Sequence, residues 1–388
     1  MLFQKREALD KHLFIIAGEE SGDQHASALL KEIKQLSPNL IVSGLGGKHL
    51  EAQGMQNILD LTQLAITGIT GVLTHLKAIR QAFKITQAYL LKHRPDAVIL
   101  VDYPGFNLRM AKWIKKNIGC PVIYYISPQI WAWKAKRIEI IKQNVDHMAV
   151  ILPFEKAIYE QAKVSVSYVG HPLRESLLNL PSKEACREQF SWSADETILA
   201  ILPGSRKAEI ARHMPVMIKS LKILKTQARF QNLKLVIPVA KSLSQNDFLP
   251  YLKEIPELEL IDGQAQNVVQ AADAVVVSSG TASLECAILA KPSCIIYKSS
   301  WLNYYLATRW MKVKYLGLSN LLLNQMVIPE LLQVDCNPKE LSKMLQALLE
   351  ESDWRMSMIN RLNDLKSMLL PADGPKLAQT TLHFFKYS

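Results

Sequence analysis

Leu202-Pro203-Gly204-Ser205-Arg206 follows directly on an apolar run that starts at Ile198, and a helical pattern begins directly after it. Farther along, Ser278-Ser279-Gly280-Thr281-Ala282-Ser283-Leu284-Glu285 stands in the same context, after the apolar run 274–277. In both, small residues separate a buried-strand pattern from a helix. Such a loop lets backbone N–H groups and the positive end of the helix approach an anion closely. Two of them in one α/β domain suit a nucleotide diphosphate. Arg206 can pair with phosphate oxygens bidentately, and Glu285, a turn into its helix, can accept hydrogen bonds from ribose hydroxyls.

The same alternation of strand and helix patterns runs outward in both directions. Short apolar runs at 13–17, 40–43, 97–101, 122–126, 147–151 and 167–169 read as strands, with helical patterns at 23–36, 72–92 and 106–117 between them. Around 172–193 the pattern turns polar, and Pro181 marks an expected linker. Strand patterns resume at 197–202, 233–238, 258–261, 274–277 and 293–297. Helical segments without strands follow at 301–312, 338–350 and 353–386. The expected fold class is α/β: two doubly wound Rossmann-like domains facing a cleft, with C-terminal helices. The expected division is an N-terminal domain at 1–172, a C-terminal domain at 173–355 carrying both small-residue loops, and a helical segment at 356–388. That last segment is expected to pack back on the N-terminal domain or on a partner subunit.

Composition bounds the partners. Hydrophobic residues make up 49% and charged residues 21% of the 388, the profile of a folded globular chain. Lys plus Arg exceed Asp plus Glu, 46 against 35, which favours an anionic partner: phosphorylated substrate, nucleic acid or acidic membrane. The 5 cysteines include no Cys-x-x-Cys pair, so disulfide staples and a zinc ribbon are not expected and a reducing cytosol is the simplest setting. No signal peptide is read at the charged start, and nowhere do about eighteen apolar residues run together, so a soluble or peripheral protein is expected.

Several other segments could carry chemistry. Ala17-Gly18-Glu19-Glu20-Ser21-Gly22-Asp23 is an acidic loop that would repel phosphate and better suits hydroxyls or an amine. Equally, Asp23 could only cap the following helix, with Glu19 and Glu20 solvated. Gly44-Leu45-Gly46-Gly47 lacks the third glycine of a dinucleotide fingerprint. Asp102, in Asp102-Tyr103-Pro104-Gly105-Phe106-Asn107, stands at the end of a central strand, where a general base is expected or where a turn residue satisfies nearby amides. The aromatic and basic stretch 124–137, with Trp131, Trp133, Lys134 and Lys136, could meet lipid, sugar or phosphate, or pack an interface. His171, in Gly170-His171-Pro172, could touch phosphate or serve a hinge. Asp-x-Asp, Gly-x-x-x-x-Gly-Lys, His-Glu-x-x-His and Gly-x-Ser-x-Gly motifs are all absent from the sequence. A mechanism without metal or cofactor is therefore expected, with Arg206 and helix N-termini stabilising a diphosphate leaving group.

Taken in order, these motifs resemble the lipid-A-disaccharide synthases, glycosyltransferases of the two-domain GT-B class. The matching segments are Ala17-Gly18-Glu19 with Ser21-Gly22-Asp23, the Asp102 to Asn107 stretch, Ser127-Pro128, and Trp131-Ala132-Trp133. They continue with Leu152-Pro153-Phe154-Glu155, Gly170-His171-Pro172, the Leu202 to Arg206 stretch, and Ser279-Gly280-Thr281 with Leu284-Glu285. Asn320 and Pro329-Glu330-Leu331-Leu332-Gln333 complete the set. The resemblance implies transfer from UDP-2,3-diacylglucosamine to 2,3-diacylglucosamine 1-phosphate (lipid X), giving a β(1→6) disaccharide and UDP. It places Asp102 and Glu19 in base catalysis and acceptor binding. Gly204, Ser205, Arg206, Gly280, Thr281, Glu285 and Asn320 fall on the donor side. The N-terminal domain would face acceptor and membrane, and the C-terminal domain would hold the UDP-sugar.

The sequence departs from the family pattern at Ala26, where glycine is usual, at 67–72, where Gly71 replaces a glutamate, and at Ser319, where proline is usual. A UDP-N-acetylglucosamine 2-epimerase-like isomerase and a non-catalytic nucleotide-sugar-binding paralogue are the rival expectations. Peripheral attachment to the anionic inner face of the inner membrane is expected through Lys77, Arg80 and Lys84, spaced i, i+3, i+7 beside Leu73, Leu76 and Phe83. A second candidate is 301–315, where Trp301, Trp310 and Tyr315 mix with cations; the competing expectation for the first helix is core plus a solvated face. No nucleic acid partner is expected, and the chain is compatible with a homodimer.

Overall fold

The computed structural model describes residues 11–66, 72–131, 137–300, 314–369 and 376–385. The chain forms two compact units, one of residues 1–171 with 371–388 and one of residues 172–370.

The first unit is built on seven strands: β1 (His12–Ala17), β2 (Ile41–Gly46), β3 (Gln56–Asp60), β4 (Ala97–Val101), β5 (Val122–Tyr125), β6 (His147–Val150) and β7 (Val166–Tyr168). They pair in the order β3-β2-β1-β4-β5-β6-β7, every pair parallel. All five residues of β4 are buried, as a strand covered on both faces requires. The period of two divides them. Phe14, Ile16, Val98, Leu100 and Tyr124 join a core with Leu90, Phe106, Met110 and Ile114 from helices 72–93 and 104–117. Leu13, Ile15, Ala17, Ile99 and Val101 turn to the other face, against Leu30 and Ile33 of helix 20–36 and against Leu377 and Phe385.

The second unit repeats the plan with β8 (Ile198–Leu202), β9 (Lys234–Val239), β10 (Leu258–Asp262), β11 (Ala274–Ser278), β12 (Ser293–Tyr297) and β13 (Glu330–Leu332). Their order is β10-β9-β8-β11-β12-β13, again parallel throughout. In each sheet the order reverses beside the first strand, between β1 and β4 and between β8 and β11. A crevice opens at the carboxyl ends of the strands at such a point. The acidic loop and Asp102 follow β1 and β4; the two small-residue loops follow β8 and β11.

The structure corrects the expected layout in three places. The polar stretch read as a linker holds two helices, Leu173–Leu178 and Lys183–Gln189, the second capped by the Ser182 hydroxyl. Arg187 of that second helix is buried in the second unit, donating to Ala271 O at 3.0 Å and pairing with Asp273 at 2.8 Å. The helical run expected over 353–386 contains two helices, Asp353–Met368 and Leu377–Phe385. The first packs on helices 281–288 and 318–323 within the second unit, and only the other lies on helix 20–36. Strands β3 and β13 were not expected at all. The predicted helix 301–312 lies outside the described residues.

Candidate active site

At the end of β4, Asp102 and Tyr103 both hold left-handed backbone angles, φ 45° and 44°. Neither is glycine, so each carries strain of order 1 kcal/mol or more that surrounding contacts must offset. The Asp102 N–H donates to Tyr125 O at 3.0 Å. Its carbonyl accepts from Asn107 Nδ2 at 2.8 Å and from the Tyr124 hydroxyl at 2.6 Å. Fixing both peptide groups fixes the direction in which the Asp102 side chain leaves the backbone. The Tyr103 ring lies over Gly18, where a Cβ would sit 2.3 Å from a ring carbon. Only glycine fits there, and it brings Glu19 up beside Asp102. Burial first, and the Glu19 carboxylate second, push the Asp102 carboxyl up to about 6, against a hydrogen bond from the Tyr103 amide. Asp102 is thus ionised at neutral pH yet a stronger base than an ordinary aspartate.

Asp23 is a structural residue. It is fully buried, and its carboxylate accepts from Gly47 N at 2.7 Å and His49 N at 2.9 Å. It therefore caps the neighbouring helix Lys48–Ala52 rather than its own, and the Gly44 to Gly47 stretch is the receiving end of that joint. Trp131 likewise turns inward: its Nε1 donates to the buried Glu155 carboxylate at 3.1 Å. Trp133, Lys134 and Lys136 lie outside the described residues. His171 is buried, and burial, with His25 adding to it, pushes its pKa down to about 4. A neutral, enclosed imidazole suits a structural place better than a phosphate contact.

The second unit holds a cavity of about 460 Å³ beyond β8 and β11. Gly204, Ser205, Arg206, Gly280, Thr281 and Glu285, all anticipated from sequence, line it, with Pro238 and Ala240 at the end of β9. Gly204 has φ 129°, and a Cβ there would lie 2.4 Å from Glu209 Oε2. That Glu209 oxygen accepts from Ser205 N at 2.9 Å and Arg206 N at 3.3 Å, capping helix Lys207–Lys225. The loop amides thus already cradle a carboxylate, which shows their capacity for an anion. The Arg206 side chain is 83% exposed and only 3.9 Å from Glu209 at its nearest, so it is free to reach a ligand. Glu285 is pushed up by burial, and a hydrogen bond from Gln266 Nε2 at 3.2 Å opposes this. Gln266 was missed by sequence, since nothing local links it to Glu285.

Asn320 is not part of this lining. It is fully buried, its Nδ2 donates to Ile328 O and Glu330 Oε1, both at 2.7 Å, and its Oδ1 accepts from Val327 N and Ile328 N, both at 2.9 Å. With two donors and two acceptor sites in use, no hydrogen-bonding capacity is left for a donor sugar. The expected donor contact is corrected to a strut under the loop that precedes β13.

On helix 72–93, Leu76, Lys77, Arg80 and Lys84 are exposed, while Ala82, Thr86 and Leu90 are buried. Phe83 turns to the core, edge-on to Phe106 at 5.4 Å, so it is not an outward anchor. Tyr315 is buried beneath Lys314, which lies 5.2 Å from its ring, and is likewise withdrawn from the expected surface. The Leu73 side chain, Trp301, Trp310 and the divergent stretch 67–71 fall outside the described residues. Among the described residues no helix is long and apolar enough to cross a membrane.

A sequence model of the lipid-A-disaccharide synthetase family matches residues 13–369. The chain belongs to this family. Lipid-A-disaccharide synthase 1 of Legionella pneumophila (strain Paris) is 49% identical over 356 residues, 92% of each chain. A lipid-A-disaccharide synthase of Coxiella burnetii is 36% identical over 379 residues, 98% of this chain and 100% of that one. Among solved structures, Acinetobacter baumannii MurG superposes with a TM-score of 0.56 at 14% identity, covering 97% of this chain and 100% of that one. UDP-GlcNAc 2-epimerase from Neisseria meningitidis bound to UDP-GlcNAc gives 0.61 at 12% identity, with coverage of 97% and 100%. At such identities these neighbours establish the GT-B fold alone, since transferase and epimerase share it. The sequence relatives decide between them: this family member is a glycosyltransferase, and the isomerase alternative is not favoured.

Proposed function

We propose that the protein joins UDP-2,3-diacylglucosamine to 2,3-diacylglucosamine 1-phosphate, forming the β(1→6) disaccharide 1-phosphate and UDP. The observation that carries this is the cavity beyond β8 and β11, with an anion-cradling loop, a free arginine and a buried glutamate, in a chain of this family. The donor diphosphate would lie against Gly204, Ser205, Arg206, Gly280 and Thr281, with Glu285 on the ribose. Asp102 takes the proton from the acceptor 6-hydroxyl as that oxygen bonds to the donor anomeric carbon. The bond from that carbon to the diphosphate oxygen breaks, and UDP departs with the electron pair. Glu19 orients the acceptor and keeps the Asp102 carboxyl a better base. Arg206, the Gly204 amide and the N-terminus of helix 281–288 take up the charge growing on UDP. The test is incubation with both substrates and mass spectrometry of the lipids. A disaccharide 1-phosphate is expected; an epimerised nucleotide sugar without it would overturn the proposal.

The acceptor's acyl chains call for a bilayer, and the exposed cations of helix 72–93 fit an anionic one at the inner face of the inner membrane. Each basic residue near such a surface contributes about 1 kcal/mol, falling off within a Debye length. Binding to phosphatidylglycerol-containing vesicles should weaken sharply with salt. Lys77, Arg80 and Lys84 changed together to Ser should weaken it by roughly a further ten-fold or more. Wild-type protein that ignores such vesicles at low salt would overturn the peripheral assignment and leave the transferase assignment standing.

A further inference from the structure

His213 lies on helix 207–225 and is buried, 1% exposed. Its ring joins two segments that the sequence keeps far apart. Nδ1 is 2.6 Å from the carbonyl oxygen of Pro203, the residue just before the anion-cradling loop. The Lys298 N–H, at the end of β12, donates to Nε2 at 3.1 Å. A carbonyl can only accept and an amide can only donate, so the two contacts fix the ring as the neutral tautomer protonated at Nδ1.

This has a consequence for the loop. The Pro203–Gly204 peptide is trans and planar, so the Pro203 C=O and the Gly204 N–H point in opposite directions. Holding the carbonyl toward His213 turns the Gly204 N–H away from that ring; Gly204 lines the cavity, and His213 is not part of the lining. Among the described residues that N–H has no acceptor, whereas the next two amides of the loop are taken by Glu209. With φ 129°, Gly204 has wide freedom to rotate, and nothing in its own side chain restrains the peptide.

We infer that His213 is a positioning residue for the reaction, one that locks the Pro203–Gly204 peptide so that a free amide faces the diphosphate. It does so without touching the substrate. Burial keeps the ring neutral by pushing its pKa down, against raising effects of the Pro203 carbonyl and Glu209. The charged groups around it are Glu209 and Arg212 on its own helix and Lys298 just after β12, whose ammonium is engaged with Cys336 O at 3.0 Å.

The inference rests on the donor site proposed above, and three variants of the full chain test it by titration with UDP. His213→Leu removes both links. His213→Asn can place an amide N–H near the former Nδ1 and keep the Pro203 link; His213→Gln can place an oxygen near the former Nε2 and keep only the Lys298 link. Leu and Gln variants should bind UDP roughly ten-fold more weakly, about the worth of one well-placed hydrogen bond, and the donor KM should rise to match. The Asn variant should stay within about three-fold of wild type, and the acceptor KM should not move in any of them. Wild-type affinity in the Leu and Gln variants, even with a lowered Tm, would reduce His213 to a core residue and overturn the inference. So would an Asn variant that fails while Gln succeeds. Wild-type protein that does not bind UDP would instead sink the donor-site assignment itself.

Discussion

Asp102→Asn is expected to slow turnover by about 10²–10⁴-fold, the usual worth of general-base help, while UDP affinity changes by less than about two-fold. The substitution keeps size and shape, and the backbone contacts that pin residue 102 come from Asn107, Tyr124 and Tyr125, none of which it alters. What is lost is the capacity to accept a proton. The pH dependence carries the same signature. A base must be ionised, so wild-type kcat/KM should climb as pH rises through about 6 and then level, and the variant should lack that rise. Stability should move the other way. The folded-state pKa is raised above the unfolded value, so ionising Asp102 costs the fold stability as pH passes from 3.8 through about 6. At neutral pH the variant should therefore melt at or above the wild-type Tm. Near-wild-type turnover with chemistry rate-limiting would transfer the base to Glu19.

Arg206→Ala is expected to cost roughly 2–4 kcal/mol of transition-state stabilisation, about 30- to 1000-fold in kcat, by analogy with the loss of an oxyanion donor. Among the described residues the Arg206 side chain pairs with Glu209 alone, at 3.9 Å, so its removal should leave the fold undisturbed. The effect should fall more on kcat than on donor KM, because the diphosphate gains charge as the glycosidic bond breaks. Arg206→Lys should recover only part of the loss, since an ammonium cannot reproduce the bidentate fork. EDTA should leave wild-type turnover largely intact. An absolute requirement for Mg²⁺ would contradict this division of labour and point to a metal-bridged diphosphate.

The loops after β8 and β11 were legible because small residues between an apolar run and a helix leave few other structures open. The place of Asp102, at the end of a buried strand, was legible in the same way. Asn320 was misread because a residue that braces a loop and one that lines a pocket look alike in sequence; only its four hydrogen bonds distinguish them. Helices 173–178 and 183–189 were hidden by their polar surfaces and by Pro181 between them. Edge strand β13 spans only three residues, too few for a period of two to register. Tyr124, Gln266 and His213 act through partners 10 to 85 positions away, and spacing gives no hint of such tertiary links.

Two departures from the family pattern acquire physical meaning. Ala26 is fully buried in the core between helix 20–36 and the first sheet, where its methyl joins Ala17 and Val101. Ser319 is also fully buried, and its hydroxyl has no hydrogen-bond partner among the described residues. It sits in the first turn of helix 318–323, where a proline would cost no intrahelical bond. The serine leaves the four Asn320 hydrogen bonds in place and is not part of the donor cavity lining.

The most direct test is the anomeric configuration of the product, read by proton NMR of the disaccharide made from α-linked UDP-2,3-diacylglucosamine and lipid X. Direct attack by the acceptor 6-hydroxyl, with Asp102 as base and UDP leaving from the opposite face, predicts a β(1→6) linkage and one UDP per disaccharide. An α linkage, or UDP release with free diacylglucosamine and no disaccharide, would contradict it.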